Sequence, residues 1–325
     1  MLVRRMFGNR LDGGAAALNE LLRLRPRAGV ATVLRIALSV TVIAYLAHRI
    51  AQLGWEQVGS SLPRSPWFYA ISLILYLLLP LSEVINYQLI LRTALWSSFS
   101  VLLRKRVYNF AVFGYCGEAY FILWLRRHLR LADRKAVSAV KDNNVLSAMV
   151  SNGAAVLLSA ALLISGRLEP LLGAVPGVAA YAGGCALAAI VCVPVMARFH
   201  RSILAIPATT AAAVAATHTL RVVVVQALLA VQWSIALPQV PLQTWLVLLA
   251  AQMLLTRVPF LPNQDLVVLG LGLSLADTVA APAAAVAGMF VAAGALTQCL
   301  HLGVYALTSL DRSVRFGPAV PARAA

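Results

Sequence analysis

The stretch RKRVYNFAVFGYCGEAYFILWLRRHLR, from Arg104 to Arg130, decides how this sequence is read. A basic cluster stands at each end, and residues 107–124 between them are mostly apolar. Gly114, Gly117 and Glu118 interrupt the run near its middle. Positive charge at both ends places them in the same compartment. The run is therefore expected to dip into a bilayer and return, with Glu118 near the turn. An ionisable side chain at membrane depth marks a functional site until shown otherwise.

The rest of the chain agrees with a membrane setting. Of 325 residues, 61% are hydrophobic, and the mean hydropathy is +0.83. Several apolar stretches approach the roughly 20 residues that a helix needs to cross hydrocarbon. No polar segment is long enough for a soluble catalytic domain. The formal charge of +16 would suggest nucleic acid in a soluble protein. Here the arginines stand beside apolar runs, which points to topology and anionic headgroups instead. Cys116, Cys185, Cys192 and Cys299 form no CxxC pair and lie in apolar context, as buried small hydrophobes do.

The expected fold is all-α, a polytopic membrane bundle of about six spanning helices with two re-entrant hairpins entering from opposite sides. The spans are placed at residues 30–47, 67–91, 145–164, 173–196, 210–235 and 282–307. Residues 126–141 are expected to include an interfacial helix. The second broken segment covers residues 242–275, where two short apolar runs flank TRVPFLPNQD. Pro259 and Pro262 remove backbone donors there, and such backbone is tolerated at depth only against protein or a wet cavity. Residues 1–28 form a basic cytoplasmic segment, 29–310 one transmembrane domain, and 311–325 a cytoplasmic tail. With both termini inside, nearly all Lys and Arg fall on the cytoplasmic side, and Arg49, Arg64 and Arg167 fall outside. Two broken segments of opposite direction are what an inverted-repeat transporter would carry.

Seven polar residues are candidates for substrate binding or translocation. Glu118 is the strongest, with a structural ion pair as the plainer reading; a charged carboxylate there needs an arginine or backbone donors. Arg221 lies deep in a span, with His218 on the same helix face at i, i+3. Arg257 and Asp265 flank the second turn, where they pair with each other or hold an anionic headgroup; Asn263 lies between them. Glu83, with Asn86 and Gln88, makes a polar patch near the inner end of a span, with snorkelling and interhelical hydrogen bonding as the plainer reading. Asp142, Asn143 and Asn144 are read as a helix cap. Gln298 and His301 are read as interhelical contacts. The sequence contains no HExxH, GxSxG or P-loop motif, so transport is favoured over catalysis, and no cofactor or metal is expected.

GYCGEAY at 114–120, following a basic stretch, and RVPFLPNQDLVVLGLGLSLAD at 257–277 resemble the lysylphosphatidylglycerol synthase transmembrane-region family, a flippase-like membrane domain. The likeness runs from about Val30 to Leu310 and rests on order and spacing. This chain departs from the family pattern: Asn263, Gln264 and Asp265 occupy the second turn, and Asp142 and Asn143 stand where a Glu-Arg pair is usual. It looks like a divergent branch, and no aminoacyl-transferase domain follows. The resemblance implies a flippase of the bacterial cytoplasmic membrane that moves a polar, anionic or glycosylated lipid between leaflets. The alternatives are a non-catalytic partner of a lipid-modifying enzyme and a membrane-embedded lipid-synthesis enzyme.

Overall fold

In the computed structural model, the described residues are 60, 62–111, 115–166, 184, 198, 203–255, 283–311 and 314. All of them belong to one compact unit, Gln52–Ala325. The elements are α1 (Pro66–Leu91), a 3-10 turn (Trp96–Ser98), α2 (Phe99–Ala111), α3 (Cys116–His128), α4 (Asp133–Ile164), α5 (Ala208–Ala236), α6 (Leu242–Leu255) and α7 (Ala283–Leu310). There is no strand among the described residues.

Four of these helices, α1, α4, α5 and α7, are long and apolar enough to cross a membrane. Their outer faces carry large apolar side chains in the open, among them Leu73, Ile74, Leu157, Leu163, Leu220 and Val223. Such faces suit hydrocarbon and would be a liability in water. Exposed Trp67 and Trp96 bracket α1, in keeping with aromatic anchors at the two interfaces. The chain is thus a helical membrane protein.

Helix α1 begins with Pro66 at its first turn, where a missing N–H is harmless. A second proline, Pro80, stands inside the helix. It has no N–H for the carbonyl of Tyr76, four residues earlier. Arg106 of α2 fills that gap by donating to Tyr76 O at 2.8 Å.

The contacts order the helices. His218 meets Asn143, and Arg221 meets Ser147. Farther along, Leu158 and Leu162 share a cluster with Ala230 and Trp233. Helices α4 and α5 therefore run parallel. Phe68, Trp233, Trp245 and Met289 pack together, so α1, α6 and α7 all start at the end where α5 finishes. The opposite end holds Leu91, Leu125, Ala136 and Val314 in a second cluster. Arg92, Arg127, Arg130, Arg134 and Lys135 are exposed there.

Three expected spans match closely: 67–91 is α1, 210–235 is α5, and 282–307 is α7. The expected spans at 30–47 and 173–196 lie outside the described residues, as does most of the second broken segment. One expectation is corrected. Asp142 to Asn144 do not cap a span; they lie well inside α4, which starts at Asp133. Asp142 Oδ2 accepts the amide of Ala205 at 2.8 Å, and Lys141 donates to the carbonyl of Ile203. These residues tether the approach to α5. Within the basic stretch 126–141, α3 ends at His128 and α4 has begun by Asp133.

Candidate functional site

The site is built on α2 and α3. Each has 13 residues and so is about 20 Å long, short of the roughly 30 Å hydrocarbon core. They lie antiparallel, with Asn109 opposite Gly117 and Tyr108 opposite Tyr120. Tyr115, just before α3, has φ 78°, a left-handed conformation that a non-glycine residue adopts at a cost. Gly117 then lets the backbones close. A Cβ there would stand 2.1 Å from the carbonyl oxygen of Lys105 and 2.6 Å from Asn109 Oδ1. Asn109 uses both ends of its amide, accepting from Gly117 N at 2.7 Å and donating to Glu118 Oε1 at 3.0 Å.

Lys105 is the centre of the arrangement. It is 1% exposed and pairs with Glu83 of α1 and, at 3.3 Å, with Glu118 of α3. The rings of Tyr87 and Phe121 stand 5.5 and 6.0 Å from its ammonium. Where an arginine or backbone donors were expected beside Glu118, a lysine and an asparagine stand. Glu118 Oε2 is buried without a hydrogen-bond partner among the described residues. A buried carboxylate oxygen with nothing to accept is a costly feature, and so a candidate contact for a ligand.

The three consecutive basic residues of α2 go to three places, because successive helical side chains fan out by about 100°. Arg104 donates to Tyr305 O at 2.7 Å, Thr308 Oγ1 at 3.0 Å and Ser309 Oγ at 2.9 Å. Lys105 takes the two carboxylates. Arg106 takes Tyr76 O and lies over the Tyr76 ring at 4.3 Å. The hydroxyl of Tyr76 is in turn 2.9 Å from His301 Nδ1, and the His301 ring stacks on Phe110.

A second polar group adjoins the first. His218 of α5 is buried, with Nε2 3.1 Å from Asn86 Nδ2 and 3.2 Å from Asn143 Oδ1. Asn143 also reaches the Tyr87 hydroxyl at 3.4 Å. Tyr87 thus lies between the His218 group and Lys105. Asn86 Oδ1 and His218 Nδ1 are buried without hydrogen-bond partners among the described residues.

Of the sequence candidates, Glu83 and Glu118 are brought together through Lys105, and His218 joins them through Asn143 and Tyr87. Arg221, one turn beyond His218, donates to Ser147 Oγ at 3.2 Å. Arg257, Asn263 and Asp265 lie outside the described residues. Sequence reading missed Lys105, Arg106, Asn109 and Tyr87 as site residues. A signal existed for the first two: three adjacent charges on one short helix cannot all face the same water. His301 is an interhelical contact, as expected. No group of residues suited to a metal ion occurs among the described residues.

No protein-family model, curated protein or solved structure matches this chain.

Proposed function

We propose that this protein is a lipid transporter that moves a polar lipid, anionic or glycosylated, between the leaflets of a bacterial cytoplasmic membrane. The observation that carries the reading is Lys105, buried among apolar helices between Glu83 and Glu118, with one carboxylate oxygen left over. Charge is expensive at that depth and is kept there for work on a polar passenger or ion. A headgroup crossing hydrocarbon needs such a polar route.

On this reading α2 and α3 are a re-entrant hairpin from the basic, cytoplasmic side. They are too short to span, and both feet stand at the arginine-rich end. The second hairpin, from the opposite side, starts with α6; α6 and α7 set out from the same end of the bundle, which suits that path. Rocking of one half against the other would alternately expose the site. The likeness to the lysylphosphatidylglycerol synthase transmembrane region points the same way. A proton on Glu118 is the simplest coupling ion.

Purified protein in liposomes containing fluorescent anionic and zwitterionic lipids tests the proposal, with an impermeant quencher reporting the accessible fraction. Quenching beyond the outer-leaflet share, lost in Glu118→Gln with the melting temperature kept, is the expected result. Quenching equal to empty liposomes for every headgroup overturns it, and the enzyme-partner and lipid-synthesis readings would replace it.

A further inference from the structure

Glu118 is held by one oxygen only. Lys105 Nζ stands 3.3 Å from Oε1, and Asn109 Nδ2 donates to the same atom at 3.0 Å. Oε2 is buried and has no hydrogen-bond partner among the described residues. A carboxylate that stays charged in a buried place ordinarily has donors on both oxygens, because both carry the charge. The one-sided hold suits the other state of the group. With a proton on Oε2, Oε1 becomes the carbonyl oxygen and keeps both of its donors.

Asn109 makes the asymmetry. Its Oδ1 accepts from Gly117 N at 2.7 Å, so the amide is anchored at the residue just before Glu118, and its Nδ2 meets Oε1. Lys105 is shared with Glu83. When Glu118 becomes neutral, the buried ammonium therefore keeps a carboxylate, and no charge is left alone. The other charged and titratable groups around the hairpin are engaged elsewhere. Arg106 donates to Tyr76 O. On α4, Lys141 and Asp142 pair with each other at 3.0 Å. The Tyr87 hydroxyl and His218 Nε2 both meet Asn143. A metal cation at Oε2 would need several oxygen ligands, and the amide oxygen of Asn109 is already taken. A proton needs one oxygen.

We propose that Asn109 is a positioning residue, which commits Oε1 of Glu118 to closure of the hairpin and leaves Oε2 as the seat of one exchangeable proton. The proton comes from water, forms an O–H bond at Oε2 and returns to water; no other covalent bond changes. The hairpin stays closed in both states, and only the charge within it alternates. That this proton drives the movement of a passenger rests on the transport reading; the seat itself does not.

Infrared difference spectra of the full chain in liposomes, taken across a pH titration, read the seat without any translocation step. A protonated carboxyl has a carbonyl stretch distinct from those of carboxylates and amides. The expected result is a component of that band, appearing on acidification, that Glu118→Gln removes and Glu83→Gln keeps. Asn109→Leu should move the component to higher pH by about one unit, because a donor to the charged form is lost. Asn109→Ser, which still carries a donor, should move it less. Asn109→Asp decides the matter if the leucine variant fails to fold. It keeps an acceptor for Gly117 N, lacks the donor, and should move the component the same way. A merely structural asparagine would change the melting temperature and leave the titration in place.

No titrating component specific to Glu118, or an unchanged titration in the folded Asn109 variants, overturns the proposal. Loss of the component when sodium replaces choline in the buffer would reassign the seat to a metal cation and overturn it as well. A titrating Glu118 with no lipid movement at any pH would sink the transport reading and leave the seat standing. Lipid movement that depends on Glu118 with no titrating component would do the reverse.

Discussion

The ammonium of Lys105 lies 3.3 Å from the carboxylate of Glu118, so the α2–α3 hairpin closes on an ion pair of its own. The same ammonium reaches Glu83, which ties the hairpin to α1. Replacing Lys105 with Met leaves two carboxylates buried against each other. Removal of one partner from a buried pair typically costs about 3–5 kcal/mol. Lys105→Met should therefore lower the melting temperature in detergent sharply. Adding Glu83→Gln and Glu118→Gln to it should recover most of the loss, because neutral amides need no counter-charge. A triple variant no more stable than Lys105→Met would refute this account.

Gly117 is required by contact with backbone, not by helix propensity. Gly117→Ala drives a methyl group into the Lys105 carbonyl and should cost roughly 1–3 kcal/mol, as overpacking does. Gly153 of α4 is the control, since a Cβ there meets nothing within 4 Å. Gly153→Ala should stabilise by about 0.5–1 kcal/mol, from helix propensity. Thermal melts of the two variants should move in opposite directions.

Pro80 and Arg106 should be energetically coupled. In the native chain, Arg106→Gln leaves Tyr76 O short of a charged donor, at about 1–3 kcal/mol. In a Pro80→Ala background the helix supplies its own N–H to Tyr76 O, so the same change should cost clearly less. A double-mutant cycle measures the difference. Strict additivity would show that Arg106 does not serve that carbonyl.

The two ends of the bundle are open to a labelling test. In a chain whose four cysteines are replaced, Ser97→Cys and Ala132→Cys mark the two feet of the hairpin. Ser165→Cys and Gln239→Cys mark the other end, and all four positions are exposed. An impermeant maleimide added from one side should label the first two together and the second two only from the opposite side. Ser97 and Ala132 labelled from opposite sides would mean that the segment between them crosses once.

The helices with membrane length were legible because apolar runs bounded by proline leave little freedom. Pro66 starts α1, and the connection through Pro238 and Pro241 separates α5 from α6. Glu118 stood out in the sequence from its isolation in an apolar run. Its partner did not. Lys105 sits between two arginines and reads as one more surface charge, and only the fanning of α2 turns it inward. Asp142 to Asn144 were misread because α4 extends beyond what a membrane requires, so that a polar stretch inside it resembled a helix start. His218 was singled out in the sequence, and it is buried. Its partners Asn86 and Asn143 are 132 and 75 residues away in the chain, and no local pattern connects them.

The anchors of the hairpin also differ in when they come into existence. Glu83, Lys105 and Glu118 lie in one short stretch, so Lys105 can give up its water as soon as α3 has left the ribosome. Arg104 binds the carbonyl of Tyr305, 201 residues later. Throughout that interval its guanidinium must stay with water or headgroups, although the adjacent Lys105 is already paired. Helix α7 thus supplies the anchor that lets a hairpin made long before it settle.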